Sequence, residues 1–206
     1  GLVSADDRVE RRVRWTRRAA YAAAVAVVAA LGTVWTLSYL NNRAMAAAVE
    51  QGLAEYREAA QAIPPSPVAD SDLTQVVPAL NTLRDLPAGP AQGASPVPDG
   101  HGWGLYQGQV LGDEAEAAYR AALNQHFLPR LLWRLEDQMQ GSVNHPDILY
   151  EALKIYLMLG LAGPMNTAQV KEWMEADWAY FYPGASRRDL REDLSGHLDA
   201  LLSQPM

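Results

Sequence analysis

By type and spacing, His145, Asp147 and Glu151 are the side chains of this chain most suited to chemistry: an imidazole, then two acids four residues apart at a helix start. A metal centre would need a further ligand converging from elsewhere, and no motif supplies one. Acids in a first turn are also favoured by the helix dipole, so the capping reading explains them without a site. His101, His126 and His197 stand isolated. Gly100, Gly102, Gly104, Gly108 and Gly112 invite a phosphate-loop reading, but neither GxGxxG after a strand nor GxxxxGK[ST] occurs, which favours a structural turn. There is no cysteine, so disulfides, thiolate catalysis and cysteine zinc sites are excluded. No nucleophile–histidine or paired-carboxylate constellation emerges. The chain is therefore expected to carry no catalytic residue, no cofactor and no metal.

Recognition chemistry has two other candidates. Trp173, Trp178, Tyr180, Phe181 and Tyr182 crowd the approach to Pro183. Packing between helices is the favoured reading, with a partner surface built on Trp173, Trp178, Tyr180 and Tyr182 as the alternative. Ala22, Ala26 and Ala30 form a small-xxx-small ladder of the kind that lets membrane helices approach closely. Eight of residues 19–30 are alanine, so that spacing is nearly forced.

The elements that would position these groups all read as helices. Met45, Val49, Leu53, Tyr56 and Ala60 make a helical stripe over 43–63, which Pro64, Pro65 and Pro67 end. Asp72 looks like a cap for a short helix, and Pro78 can open another over 79–86. Residues 87–112 hold four prolines and seven glycines and read as a loop. Asp113 with Glu116 resembles a capping box, after which Ala117, Tyr119, Leu123, Phe127, Leu131 and Leu135 track one face. Pro129 should kink this helix near Gln125, and Gly141 closes it. Asn144 is expected to cap the next helix, with Pro146 in its first turn and Ile148, Leu149, Ala152, Leu153, Tyr156 and Leu159 buried. Gly160 and Gly163 stop it. Asn166 or Thr167 caps a helix running to Pro183, and Ser186 caps the last, with Leu190, Leu194, Leu198 and Leu201 inward. The expected class is all-α.

Ala19 to Leu40 is the other strong signal. These 22 residues carry no charge, and as a helix they span roughly 33 Å, the thickness of a bilayer's hydrocarbon core. Arg8, Arg11, Arg12, Arg14, Arg17 and Arg18 precede the run, whereas only Arg43 and Arg57 occur in the twenty residues after it. The positive-inside bias puts the N-terminus in the cytoplasm. Arg14, Arg17 and Arg18 then sit at one membrane interface, with Trp35 and Tyr39 at the other. A signal peptide would have a shorter core and a small-residue cleavage site just behind it. Here Ser38-Tyr39-Leu40-Asn41-Asn42 follows instead. The opening Gly and arginine-rich prelude suggest a piece of a longer protein. Residues 1–18 carry a net charge of +3 and residues 19–206 a net of -10, a poor balance for nucleic-acid binding.

Gly104-Leu105-Tyr106-Gln107-Gly108, then 118–123 (AYRAAL), 128–131 (LPRL), Leu135-Glu136 and 149–159 (LYEALKIYLML) together resemble the IcmF/TssM family. Pro78 to Arg84, Val170 to Trp173, Asp177-Trp178 and His197 to Leu202 fit in the same order. The resemblance covers about Arg11 to Leu202, and its motifs are structural. It implies an inner-membrane subunit of the bacterial type VI secretion system, seen here as its last span and the first helical part of its periplasmic region. The implied layout is 1–18 cytoplasmic, 19–40 transmembrane, 41–112 periplasmic stalk and linker, and 113–206 periplasmic helical domain. The implied partners are inner-membrane lipid, further copies of the chain, the TssL subunit, and the TssJ lipoprotein through parts outside this sequence. The rival reading is a single-span sensor whose helical ectodomain binds a ligand.

Overall fold

The computed structural model describes residues 6–63, 71–92 and 106–203. Seven α-helices account for most of them: α1 Asp6–Ala62, α2 Val76–Arg84, α3 Gly108–Ala122, α4 Leu128–Gly141, α5 Pro146–Leu159, α6 Thr167–Phe181 and α7 Arg188–Leu202. A π-helical turn, Leu123–Phe127, joins α3 to α4, and short 3-10 turns occupy Pro90–Gln92 and Ala185–Arg187. No strand occurs among the described residues, and the chain is all-α. Two compact units divide it: Gly1–Ala46 with Ser95–Gln107, and Ala47–Ala94 with Gly108–Met206. The proline cluster at 64–67 and the glycines at 100, 102 and 104 lie outside the described residues.

In the first unit, α1 runs unbroken through the apolar segment. Its side chains there are exposed almost all round: Tyr21, Val25, Val28 and Trp35 are each more than 60% accessible. Polar side chains within the segment serve their own helix. The Thr33 hydroxyl donates to the Ala29 carbonyl at 2.9 Å, and that of Thr36 to the Gly32 carbonyl at 2.8 Å. Such back-bonding meets the needs of these two hydroxyls in an apolar medium. Asn42 donates to the Ser38 carbonyl at 2.7 Å and accepts from the Gln107 N–H at 3.4 Å.

The second unit has one core. Tyr119, Leu123, Phe127, Leu131 and Leu135 are buried as one ladder, while Ala117 is exposed. Val170, Met174 and Trp178 of α6 and Leu194, Leu198 and Leu201 of α7 complete it. Leu73, Val76, Val77, Leu80, Leu83 and Leu86 belong to the same cluster, so part of the expected stalk-and-linker segment is core.

Several boundaries differ from expectation, each for a local reason. One helix, not two, follows Asp72, whose carboxylate accepts from the Thr74 N–H at 2.9 Å. Pro78 falls within the first turn of α2, where its missing N–H costs nothing. α3 begins at Gly108, five residues before the expected box, and Glu116 pairs with Arg120 instead of capping. Gly112 is there for contact: a Cβ would lie 2.7 Å from the Ala88 carbonyl oxygen. Pro129 produces a π turn, not a simple kink. The Leu128 N–H reaches back to the Leu123 carbonyl, and the buried Arg130 donates to the His126 carbonyl at 2.9 Å. Among the described residues the Arg130 Nε finds no acceptor.

The helix over 146–159 is rotated from its expected face. Ala152, Ile155, Met158 and Leu159 are buried, whereas Ile148 is 48% and Leu153 42% exposed. The sequence is apolar on both sides, so periodicity could not choose between them. His145, not Asn144, holds the N-cap position, without a side-chain cap bond. The helix ends in a Schellman motif: Ala162 N–H bonds the Leu157 carbonyl at 2.8 Å, with Leu161 at φ 56. Left-handed backbone at a leucine costs about 1 kcal/mol or more. Asn166 caps α6 as expected, accepting from the Gln169 N–H at 3.2 Å. Ser186 does not cap α7, because a 3-10 turn intervenes. There Arg191 donates to the Tyr182 and Gly184 carbonyls at 2.5 and 3.0 Å.

Candidate functional site

The densest chemistry in the structure surrounds a histidine that sequence reading left isolated. His197, on α7, is fully buried. Its Nδ1 lies 2.7 Å from the Tyr119 hydroxyl of α3, and its Nε2 lies 2.9 Å from the Asn81 side-chain oxygen of α2. The Asn81 amide donates onward to Asp193 at 2.7 Å, and Arg84 donates to the other Asp193 oxygen at 3.0 Å. Because the Asn81 oxygen only accepts, Nε2 carries the ring proton and Nδ1 receives the Tyr119 hydroxyl.

The electrostatics follow from burial. Desolvation first, and the nearby Arg84 charge second, pull the His197 pKa down to about 4, so the ring is neutral at physiological pH. Desolvation pushes Tyr119 up to about 12, away from nucleophilic character. The Asn81 and Arg84 hydrogen bonds outweigh burial at Asp193 and hold its carboxyl below the usual range. Arg84, gripped by Asp85 and Asp193, is raised. Both imidazole nitrogens are occupied and the ring touches no solvent. The cluster ties α2, α3 and α7 together by satisfied bonds, work suited to fixing a register.

A second polar clamp joins α4 to α6. Arg134 grips Asp177 through two bonds, at 3.1 and 2.9 Å, and its guanidinium carbon lies 4.4 Å from the centre of the Phe181 ring. Gln138 donates to Asp177 and accepts from the Trp173 indole at 3.1 Å. Trp178 packs 6.4 Å from Phe127, ring to ring. The Tyr182 hydroxyl accepts from the Leu73 N–H at 3.1 Å.

The partner-surface alternative does not hold for two of its four aromatic residues. Trp178 and Tyr182 are 2% and 7% exposed and belong to the core, Trp178 packing on Phe127 and Tyr182, just past α6, bonding Leu73. Of the four residues, Tyr180 is exposed and Trp173 half-buried. His145 and Asp147 are solvent-facing, and Glu151 accepts from Gln169 at 2.8 Å. Ala22, Ala26 and Ala30 lie on the exposed helix with Arg14, Arg17, Arg18, Trp35 and Tyr39. The candidate functional surface is accordingly α1 itself: long, apolar, and unburied through its most hydrophobic window.

Comparison with known proteins decides the family. A family model described as "IcmF-related: Intracellular multiplication and human macrophage-killing" matches residues 77–206. The chain belongs to this IcmF-related family. It is also similar to the type VI secretion system component TssM1 of Pseudomonas aeruginosa, with 38% identity over 204 residues, 99% of this chain. It spans only 18% of that relative's length. No solved structure matches it.

The IcmF-related match takes in the whole buried network, from Asn81 to His197, whereas α1 lies ahead of it. Sequence reasoning missed the network because its partners are 78 and 116 residues apart along the chain. No local motif announces such a meeting.

Proposed function

We propose that this chain is the final membrane span and first periplasmic stretch of a type VI secretion subunit, working by anchoring and assembly. The end-to-end likeness to a type VI secretion component carries the reading. The exposed apolar face of α1 supports the anchor, since a helix of this length and composition suits hydrocarbon. On this reading 1–18 is cytoplasmic, 19–40 spans the inner membrane, and the rest is periplasmic. The partners are membrane lipid, further copies of the chain and TssL, with TssJ engaged through the remainder of the longer protein. The arginines ahead of the span set the orientation. The satisfied His197 network favours a structural part over a reaction centre in this segment.

Accessibility and stoichiometry test the proposal together. In spheroplasts, a cysteine at Gln75 should react with a membrane-impermeant thiol reagent, and one at Ser4 should not. The full-length protein should co-purify with TssL in a large assembly. A dimer that carries a bound small molecule and never recovers TssL would establish the sensor reading instead.

A further inference from the structure

We propose that Arg130 is the receptor for a carboxylate that this sequence does not supply, gripped side-on by the free edge of its guanidinium. The inference goes beyond the anchoring reading above and does not depend on it. Among the described residues Arg130 is the only buried arginine or lysine, at 7% exposure, and no carboxylate of the chain pairs with it. The less enclosed Arg84 and Arg134 each have one, Asp193 at 3.0 Å and Asp177 at 2.9 Å. Burying a charge is costly unless an opposite charge meets it, so Arg130 is out of keeping with its own fold.

One edge of the group is accounted for. Beside Pro129 and the π turn, Nη1 donates to the His126 carbonyl at 2.9 Å. That task needs a donor, not a charge, and a glutamine amide would perform it without burying a cation. The other edge is idle. Nε is sealed from solvent with no acceptor, and Nη2, equally unbonded, reaches the surface. Because the Nη1 bond fixes the plane of the group, Nε and Nη2 present two parallel donors already oriented for a ligand.

That edge selects the ligand. Two coplanar N–H groups match the two oxygens of a carboxylate, fork to fork. A phosphate would bring further charged oxygens, and no second cation stands ready for them. Arg134, one turn along α4, is spent on Asp177. His126 is held towards its neutral form, by desolvation first and by the Arg130 charge second. Two sources carry the required group: an acidic side chain of another polypeptide, and a free organic acid.

Acetate is the probe, added to the full chain in micelles at neutral pH, with sodium chloride of equal ionic strength as the reference. At several times its dissociation constant it should raise the wild-type unfolding temperature by about 2 °C. Arg130→Gln should unfold no lower than the wild type in chloride and should lose the acetate response. Arg130→Lys, with the charge but no fork, should keep less than half of it. The same measurement on the full-length protein purified in its membrane complex separates the sources. A response confined to the isolated chain means that a polypeptide carboxylate already fills the site in the complex. Arg130→Glu should then block assembly until the partner's acid is changed to lysine. A response in both settings means a free acid. An acetate shift that survives Arg130→Gln would overturn the proposal, as would no shift in the wild-type chain. A large loss of stability in Arg130→Gln in chloride alone would overturn it too, since the charge would then be satisfied at home.

Discussion

The Tyr119 hydroxyl and His197 Nδ1 meet at 2.7 Å across 78 residues of chain, fastening α3 to α7 inside the core. Tyr119→Phe keeps the ring and deletes only the donor. It should cost about 1–3 kcal/mol, because a buried acceptor is left without a partner. Denaturant titration in micelles, followed through the buried Trp178, measures it; an unchanged midpoint would show that the bond contributes nothing.

The same histidine should make stability fall on mild acidification. Its folded-state pKa is lowered to about 4 from an ordinary 6.5. Above pH 6.5 both folded and unfolded rings are neutral, so His197 adds no slope. Between 6.5 and 4 the unfolded chain binds a proton that the folded chain refuses, and stability drops by up to about 3 kcal/mol. Asp193, with a lowered carboxyl pKa, adds its own loss only below that window. His197→Gln should flatten the slope between pH 6.5 and 4, and an equally steep slope in that variant would assign the effect elsewhere.

Two leucines separate the core from the surface. Leu131 is fully buried, and Leu131→Ala should cost about 2–5 kcal/mol. Leu153→Ala, at 42% exposure, should cost less than about 1 kcal/mol in the isolated chain. Thermal unfolding of the pair ranks them, and the reverse order would mean that α5 is turned the other way.

Arg134 should resist conservative replacement. Lysine keeps the charge but forfeits the paired bonds to Asp177 and the flat approach to Phe181. We expect Arg134→Lys to destabilise by about 1–2 kcal/mol, near the range for charge-assisted bonds. Equal stability would show that charge alone suffices.

How legible was this in the sequence? The apolar, arginine-led span and the 119–135 ladder were plain, because each is a local pattern with one physical reading. Asn166 was legible too, its cap lying three residues from the amide it serves. The face of α5 was not, since a helix apolar on two sides offers no moment to read. Gly108 and Gly112 looked like loop signals, although close packing against Ala88 is what the second of them serves. His197 was opaque for the opposite reason: its meaning lies entirely in residues distant along the chain.

The π turn at Leu123–Phe127 makes chain length and composition mutually dependent at one spot. A π turn holds one residue more than the α-helical path it replaces, and the proline two positions on could not sit comfortably in that shorter path. Deleting the exposed Gln125 alone would drive Pro129 against the carbonyl of the preceding turn. Replacing Pro129 by alanine alone would leave a surplus residue with nothing to accommodate. Made together, the two changes should restore an uninterrupted helix with every later side chain on its original face. The extra residue of the turn and the proline beside it are thus each tolerable chiefly in the other's company.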